Sequence, residues 1–437
     1  MKTKFLIVLA LIRVNAGDVP YRLAYGLNGG FGISWNVPLD VDCGSLAYGF
    51  SPESLDKTVD SFKSCKLYKG GYHHHVFIPE IRNATKYFFR ISCSNETHTF
   101  RTGLAAHSKE PFTFAVYGDL GPVYGENTLA ALASNAQSLA GHIFAGDIGY
   151  ADDAFMHGQS YIARTSKFIE ALSRATPSVP IMVVPGNHEA EDHTPVCLLS
   201  PGCRRGFGNF SAYNCIWNMP SEGHRHSMWY SFNYGPIHFV MTNTETDYEG
   251  APLEPYGEVG FIPTGKFGQK GEYEQWLRED IMKAHQERHI RPWIIVVGHR
   301  PITVLDEKSD PFVTPLNQAM IDLIGTYADV YVAGHVHYYA RSIPKPHAPF
   351  QAISITVGGS GCDEWSDRRI QDTRRGETEY SEYFGYGDEQ TFGLLKYEED
   401  ELVFEIQKSA NQQMVDRVVI PKRSTRSVDT VPILITQ

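Results

Sequence analysis

The pattern of hydrophobic and polar positions changes character near residue 106. Before it, short runs alternate apolar and polar positions and are separated by turn residues, as in FGISWNV (31–37) and YHHHVFI (72–78). Two more β-rich runs, KYFFRIS and HTFRT, follow at close spacing. Period-two runs with no helical period between them predict a small all-β sandwich. We place a linker where the composition changes, around residues 105–110.

From residue 107 onward, short apolar runs alternate with helical patterns. The apolar runs are FTFAVYGD, HIFAGD, IMVVPGNH, WIIVVGH and VYVAGH. Between them lie segments with a helical period, namely ENTLAALASNAQS, AFMHGQSYIARTSKFIEALS and GEYEQWLREDIMKAHQE. This alternation of strands and helices predicts an α/β layer fold for the second part of the chain.

Each of the five apolar runs ends in side chains that bind metals. In chain order these are Asp119, Asp147, Tyr150, Asn187, His188, His299, His335 and His337. Ligands of open α/β sheets collect beyond the carboxyl ends of the strands, so we expect these side chains to meet at one edge. Their oxygen and nitrogen atoms suit hard and borderline ions, and the absence of cysteine argues against a structural zinc site. Seven or eight ligands suit two ions, which can together clamp a phosphoryl group in transfer.

Single motifs in this set carry little weight. An aspartate after a strand commonly caps a helix or a turn, and only the five motifs in order make a strong pattern. The run His73, His74 and His75 is a contrasting case. Consecutive strand side chains face opposite ways, so these three cannot converge on one ion. We predict an ordinary exposed strand there.

The first residues have the pattern of a secretory signal. Lys2 and Lys4 precede an apolar run that is too short to span a bilayer, and small residues allow cleavage after Ala16. No later segment is long and apolar enough for a transmembrane helix. Three N-x-S/T triplets fit a secreted glycoprotein, at Asn83, Asn95 and Asn209. The net charge of -11 argues against a nucleic-acid partner, which needs a basic face.

The chain has seven cysteines, and most should pair in an oxidising compartment. An odd number leaves at least one thiol free or in an intermolecular disulfide, which would link a homodimer. Cys362 is the most isolated in sequence. The segment 190–228, rich in Gly, Pro and Cys, is either a substrate-selecting loop at the pocket rim or a cross-linked surface insertion.

The order D-x-G, G-D-x-x-Y, G-N-H-E, V-x-x-H and G-H-x-H, over residues 114–339, resembles the purple acid phosphatases within the calcineurin-like metallophosphoesterases. FGYGDEQTFGLLKY resembles the closing stretch of that family, and the N-terminal runs resemble the fibronectin-III-like domain of its two-domain form. The resemblance implies an α/β (α+β layered) metallophosphoesterase sandwich of two β-sheets flanked by helices. It divides the chain into a signal peptide (1–16), a fibronectin-III-like domain (17–106) and a catalytic domain (107–437).

The resemblance also implies a role for each site residue. Asp119, Tyr150 and His337 would hold a ferric ion, and Asn187, His299 and His335 a divalent ion of iron, zinc or manganese. Asp147 would bridge the two ions. His188 would contact phosphate and help to protonate the leaving alkoxide, and Glu189 would orient its neighbours.

Two segments differ from related sequences, one from the wider superfamily and one from the family. Where other metallophosphoesterases place a histidine in the first motif, this chain has Gly121, and the phenolate of Tyr150 can supply the missing ligand. An anionic phenolate favours a hard trivalent ion. Lys308 and Ser309 stand where the family usually places one or two substrate-contacting histidines. Lysine can bind phosphate as a point charge but is a poor proton donor in acid.

We therefore expect a secreted or endolysosomal acid phosphatase that hydrolyses small phosphate monoesters. Metal-bound hydroxide would attack phosphorus in line at an Fe(III)–M(II) centre, with no phospho-enzyme intermediate. A phosphodiesterase or nucleotide pyrophosphatase would use nearly the same ligands, and activity on a diester against a monoester separates these alternatives. An inactive cell-surface binding protein would show a broken ligand set, whereas all seven candidates are present.

Overall fold

The computed structural model describes most of the chain. The described ranges are 19–38, 42–67, 70–79, 81–190, 208–221, 226–253, 264–302, 318–348, 350–362, 374–377, 379 and 381–423. The expected signal peptide, Lys308, Ser309 and much of the segment 190–228 lie outside these residues.

The N-terminal part folds into two four-stranded antiparallel sheets. Their strands are β1 (Tyr21–Tyr25), β2 (Phe31–Val37), β3 (Ser45–Gly49), β4 (Lys57–Asp60), β5 (Lys63–Lys66), β6 (Tyr72–Ile78), β7 (Lys86–Ile91) and β8 (His98–Arg101). One sheet has the order β1-β2-β6-β5 and the other β4-β3-β7-β8. Ile33 and Val76 of the first sheet and Phe89 of the second are fully buried in the core. The all-β sandwich predicted from the alternating pattern is confirmed.

The histidine run in β6 is not an exposed strand, and that prediction is wrong. His73 and His75 are buried, with exposed fractions of 3% and 0%, while His74 lies on the opposite face and stacks on Trp35. The alternation is as expected, but the face that carries His73 and His75 packs against a helix of the second part of the chain. His75 Nε2 donates to the carbonyl of Cys215 at 2.9 Å. Polar side chains made this interface look like a solvent-facing strand.

The second part contains two larger sheets with helices. The strands are β9 (Phe112–Tyr117), β10 (Gly141–Phe144), β11 (Ile181–Val183), β12 (Tyr230–Tyr234), β13 (Ile237–Met241), β14 (Trp293–Val297), β15 (Val330–Ala333), β16 (Tyr339–Pro344), β17 (Ile353–Val357), β18 (Arg374–Glu377), β19 (Ser381–Tyr386), β20 (Thr391–Glu398), β21 (Glu401–Lys408) and β22 (Met414–Ile420). The helices are α1 (Glu126–Asn135), α2 (Tyr161–Ala175), α3 (Ser211–Ile216), α4 (Glu272–Gln286) and α5 (Gln318–Tyr327).

The helical patterns of the sequence are confirmed in α1, α2 and α4, with one difference. The second pattern was expected to begin at Ala154, but residues Asp152–His157 form a 3-10 turn that ends at Gly158. Gly158 has a φ of 65°, which continues no right-handed helix. Ser160 then caps the new helix by accepting from the backbone N–H of Ala163.

The two larger sheets pack face to face. One has the order β11-β10-β9-β20-β21-β22, and the other β12-β13-β14-β15-β17-β16-β19-β18. Val116 and Leu395 from one sheet and Ile295 from the other line a shared internal space of only about 10 Å³. Strands β9 to β11 run parallel to one another, as do β13, β14, β15 and β17. Their carboxyl ends therefore open on a common edge.

The sandwich is joined covalently to the larger sheets. A disulfide links Cys65 in β5 to Cys215 in α3, and a second, Cys43–Cys93, closes the sandwich itself. Arg22 also donates to the carbonyl of Ile216 across the junction. Cys362 is completely buried. None of the described helices is long and apolar enough to cross a membrane.

Candidate metal centre

The structure brings the ends of five parallel strands to one place. Asp119 follows β9, Asp147 follows β10 and Asn187 follows β11, all from the six-stranded sheet. His299 follows β14 and His335 follows β15, both from the eight-stranded sheet. All these side chains are buried. The predicted edge is therefore a cleft between two sheets, to which each sheet contributes part of the ligand set.

The backbone at this cleft is held in an unusual conformation. Four candidate ligands adopt positive φ angles, namely Asp119 (56°), Asp147 (55°), Tyr150 (47°) and His335 (67°). Left-handed residues other than glycine cost on the order of 1–3 kcal/mol each and cluster at functional sites. The packing of the surrounding fold must offset this cost in order to hold the side chains inward.

Glycines let the strand ends approach the ligands. A Cβ on Gly334 would lie 2.4 Å from Oδ2 of Asp119, and a Cβ on Gly186 would lie 2.3 Å from Oδ1 of Asp147. A side chain at either position would therefore collide with a ligand carboxylate. Glycine is required at these two positions because the backbone passes so close to a ligand carboxylate, and not because of turn geometry alone.

One cluster, which we call the first group, consists of Asp119, Tyr150 and His337. The phenol oxygen of Tyr150 lies 3.3 Å from Oδ1 of Asp119 and 3.3 Å from Nε2 of His337. The same carboxylate oxygen lies 3.4 Å from His337 Nε2. Three potential ligand atoms thus form a nearly equilateral triangle.

A second cluster, the second group, consists of Asn187, His299 and His335. Oδ1 of Asn187 lies 3.0 Å from Nε2 of His299 and 3.0 Å from Nδ1 of His335. Asp147 Oδ2 approaches His299 Nε2 at 3.2 Å. The other ring nitrogen of His299 donates to the carbonyl of Ala145 at 2.8 Å, which turns Nε2 toward the cleft.

The donor set fits bound metal ions. Ligand atoms that sit about 2.0–2.2 Å from a shared ion lie roughly 3 Å apart, and both groups have this spacing. Asp147, His299 and His335 also place ligand atoms within 4.8 Å of one another. The residues present are therefore a candidate two-metal site.

Comparisons with known proteins agree with this geometry. Residues 112–339 match the family model of the calcineurin-like phosphoesterases, which covers more than half of the chain. The chain belongs to the calcineurin-like phosphoesterase family. Within it, the chain is 26% identical to acid phosphatase A of Cryphonectria parasitica, over 97% of both proteins. It is 28% identical to purple acid phosphatase 21 of Arabidopsis thaliana, over 80% of this chain and 73% of that protein.

A solved structure supports the fold. The purple acid phosphatase PPD1 of yellow lupin superposes with a TM-score of 0.69 at 19% identity, and the match covers 92% of this chain and 74% of the lupin chain. This match confirms the layered phosphoesterase fold that the resemblance predicted. The predicted similarity to the purple acid phosphatases is confirmed as well.

His188 lies beside the first group of the candidate metal site. Its ring is 4.5 Å from the ring of Tyr150, and its Nδ1 lies 2.9 Å from Oδ2 of Asp152. Asp153 approaches the same nitrogen at 3.9 Å. Burial lowers the pKa of His188, but the carboxylates of Asp152 and Asp147 outweigh burial and raise it well above its usual value. Sequence reasoning missed Asp152, although it stands two residues after Tyr150.

Glu189 ties together the two strand ends that carry Asp147 and Asn187. Its carboxylate accepts from the backbone N–H groups of Asp147 at 2.9 Å, Ile148 at 2.7 Å and Gly186 at 2.8 Å. Burial and the charge of Asp147 raise the pKa of Glu189 to about 8. These hydrogen bonds fix the backbone around Asp147 and Gly186, and the orienting role of Glu189 stays a prediction.

Sequence reasoning also missed a buried ion pair behind His335. Arg300 Nε lies 3.0 Å from Oε2 of Glu245, and Arg300 Nη1 lies 3.4 Å from Nε2 of His335. Glu245 belongs to the segment TNTETD that follows β13. This segment follows a sixth apolar run, IHFVM. Polar residues that follow an apolar run mark the edge of the sheet, and the same rule applied to this run would have identified Glu245.

The buried carboxylates of the candidate metal site require positive charge nearby. Burial raises the pKa of Asp119 above its usual range. Burial also opposes ionisation of Asp147, but the charges of His299 and His188 outweigh it and hold the pKa of Asp147 far below its usual range. In turn, burial disfavours the His299 cation, yet Asp147 raises the pKa of His299 to about 10. Bound cations would supply this positive charge directly.

Proposed function

We propose that this chain is a secreted acid phosphatase that hydrolyses small phosphate monoesters at a two-metal centre. The observation that carries the proposal is the pair of buried ligand groups, with Asp147 within reach of the second. Acid phosphatase A of Cryphonectria parasitica, which matches 97% of the chain, supports the same reaction. The described ligand set is intact, so nothing favours an inactive binding protein.

The chemistry of the first group favours Fe(III). Tyr150 and Asp119 offer two anionic oxygens, which suit a hard trivalent ion, whereas the amide and two imidazoles of the second group suit divalent iron, zinc or manganese. When bound, these ions supply the charge that attracts phosphate and the activation of water for in-line attack. Three anionic side chains, Asp119, Asp147 and Tyr150, would leave such a pair net positive, which favours an anionic substrate despite the acidic chain.

His188 holds a proton at the edge of this site. Because its Nδ1 is engaged by Asp152, Nε2 is the nitrogen that can serve a phosphate oxygen or a leaving alkoxide. Leaving-group protonation would then depend on His188, since the family's usual distal histidines are replaced by Lys308 and Ser309.

We also propose the division of the chain into a signal peptide (1–16), a fibronectin-III-like domain (17–106) and a catalytic domain (107–437). Strand β8 ends at Arg101 and β9 begins at Phe112, so no strand crosses the proposed boundary. Asn83, Asn95 and Asn209 are all exposed, as glycosylation requires. Two disulfides suit the secretory pathway, either to the outside or to an endolysosomal compartment. A homodimer is one possible assembly.

The reaction class is tested with a matched pair of substrates. The purified, metal-loaded protein is assayed in acid with p-nitrophenyl phosphate and with bis(p-nitrophenyl) phosphate. We expect the monoester to be hydrolysed much faster, and Asn187→Ala to lower the rate by roughly 10²-fold or more through loss of a metal ligand. Preferential cleavage of the diester would instead favour the phosphodiesterase alternative.

A further inference from the structure

Large apolar side chains are exposed on two loops beside the candidate metal centre. Nine such side chains are exposed among the described residues, and four of them stand on these two loops: Val123, Tyr124, Phe155 and Met156. The first loop follows Asp119, and the second follows Tyr150. A single exposed apolar residue is ordinary on a protein surface, but a concentration of them at the mouth of a cleft is typical of a ligand site.

The two loops lie next to each other at the side of the first group. Leu120 forms an isolated parallel bridge with Ile148, which joins the start of one loop to the start of the other. The carbonyl of Leu120 also accepts from the backbone N–H of Gly149 at 3.0 Å. The exposed apolar side chains therefore stand on adjoining segments of one rim and are not scattered over the surface.

The second loop leads outward from His188. Its 3-10 turn begins at Asp152, which is fully buried and engages Nδ1 of His188. A 3-10 helix has three residues per turn and rises about 2 Å per residue, so Phe155 lies on the same face as Asp152 and about 6 Å farther along. The exposed fraction rises in this direction, from 0% at Asp152 to 42% at Phe155. The turn thus places Phe155 beyond His188, at the mouth of the cleft.

The two loops offer little positive charge to a substrate. Residues 120–125 and 151–160 contain neither lysine nor arginine. The pKa of the one histidine there, His157, is lowered by partial burial and by the charge of Arg164, and Arg164 itself is fully buried. A second phosphate group on a substrate would therefore lack a charged partner on these loops. An aromatic or aliphatic group would instead remove the exposed ring of Phe155 from water.

We propose that Phe155 is a specificity-determining residue that contacts the alcohol portion of the substrate and favours phosphate monoesters of large apolar alcohols, above all aromatic ones. The inference rests on the proposed function and names a substrate class for it. Because Asp152 leaves Nε2 of His188 for the leaving oxygen, the alcohol departs beside the face of the turn that carries Phe155. The ring therefore contacts the alcohol, while the metal site holds the phosphate.

The test compares two esters whose alcohols have similar acidity but different apolar size, ethyl phosphate and 2-phenylethyl phosphate. The ratio of their kcat/KM values reports contact with the alcohol and not the chemistry of the leaving group. It is measured for the metal-loaded wild type, Phe155→Ala and Phe155→Tyr. Phe62→Ala is the matched control, because Phe62 is also an exposed phenylalanine, at 61%, but belongs to the N-terminal sandwich.

We expect the wild type to prefer 2-phenylethyl phosphate and Phe155→Ala to lower this preference by about 2–10-fold, the effect of losing one aromatic contact. The kcat/KM for ethyl phosphate should be unchanged, Phe155→Tyr should keep the preference, and Phe62→Ala should match the wild type. An unchanged preference in Phe155→Ala, an equal loss for both esters, or the same change in Phe62→Ala would each overturn the inference.

A binding measurement separates this inference from the proposed function. Benzylphosphonate and methylphosphonate have no ester bond to cleave, and calorimetry measures their Kd for the same metal-loaded proteins. We expect the wild type to bind benzylphosphonate more tightly, and Phe155→Ala to lose about 2–10-fold of that difference. If the wild type hydrolyses neither ester, the proposed function fails, and this comparison alone decides the role of Phe155. A wild type with no preference for benzylphosphonate overturns the inference.

Discussion

The imidazole of His188 and the carboxylate of Asp152 form a buried pair in which Nδ1 lies 2.9 Å from Oδ2. We expect His188→Ala to lower kcat/KM for alkyl phosphates by about 10²–10⁴-fold, the usual contribution of a general acid. Aryl phosphates, whose leaving groups need no proton, should lose much less. The measurement is kcat/KM over a series of esters with graded leaving-group pKa.

The contribution of Asp152 can be separated from that of its neighbour. Asp152→Asn should reproduce part of the alkyl-specific loss, because an amide orients the ring without favouring its charged form. Asp153, whose carboxylate lies 3.9 Å from the same nitrogen, provides the matched control Asp153→Asn and should have a smaller effect. If His188→Ala and Asp152→Asn each lower kcat/KM equally for alkyl and aryl esters, His188 does not act in the proton-transfer step.

Tyr150 is expected to determine the visible spectrum of the iron-loaded protein. If its phenolate binds Fe(III), the iron-loaded wild type should be purple, and Tyr150→Phe should lose the visible band because the phenol oxygen is gone. Tyr213→Phe is the control, since Tyr213 is equally buried but donates to Ser227 at 2.9 Å, outside the metal groups. A band that survives Tyr150→Phe would show that another residue supplies the ligand.

The disulfide between the sandwich and α3 should matter more for stability than the one within the sandwich. Cys65–Cys215 closes a separation of 150 residues, against 50 for Cys43–Cys93. The chain-entropy model then predicts a loss larger by about 1 kcal/mol for Cys65→Ser/Cys215→Ser than for Cys43→Ser/Cys93→Ser. Denaturant unfolding of the two double variants measures the difference, and an equal or smaller loss for the first would contradict the model.

The buried His73 of β6 should make the protein less stable in acid. Burial and the neighbouring Arg22, 3.2 Å away, hold the pKa of His73 well below its usual value of 6.5. Below pH 6.5, His73 is therefore protonated in the unfolded chain but stays neutral in the folded chain. Its contribution to the free energy of unfolding is fully present above pH 6.5 and is lost as the pH falls below that value. His73 should contribute about 1.4 kcal/mol per pH unit in that window.

The matching experiment follows the free energy of unfolding from pH 7 downward in the wild type and in His73→Gln, which keeps a polar side chain beside Arg22. We expect the variant to show a flatter dependence on pH. If its slope equals that of the wild type, His73 is not the group that titrates.

Much of this site could be predicted from the sequence because its signal is local. Each ligand follows an apolar run within a few residues, so strand ends such as Asp147 and His335 could be placed without a fold. Asp152 and the Arg300–Glu245 pair depend on contacts between segments distant in the chain, which no local pattern records. The prediction for the histidine run was wrong for a related reason. Alternation shows that a strand has two faces, but what covers each face depends on the packing of a distant part of the chain.

The most direct test of the central claim is phosphate release by protein stripped of metal and then reloaded. The wild type should hydrolyse p-nitrophenyl phosphate in acid, lose that activity when a chelator removes its metals, and regain it when iron and a divalent ion are restored together. Two ions per chain should accompany the recovered activity. Undiminished hydrolysis by the metal-free protein would contradict the account.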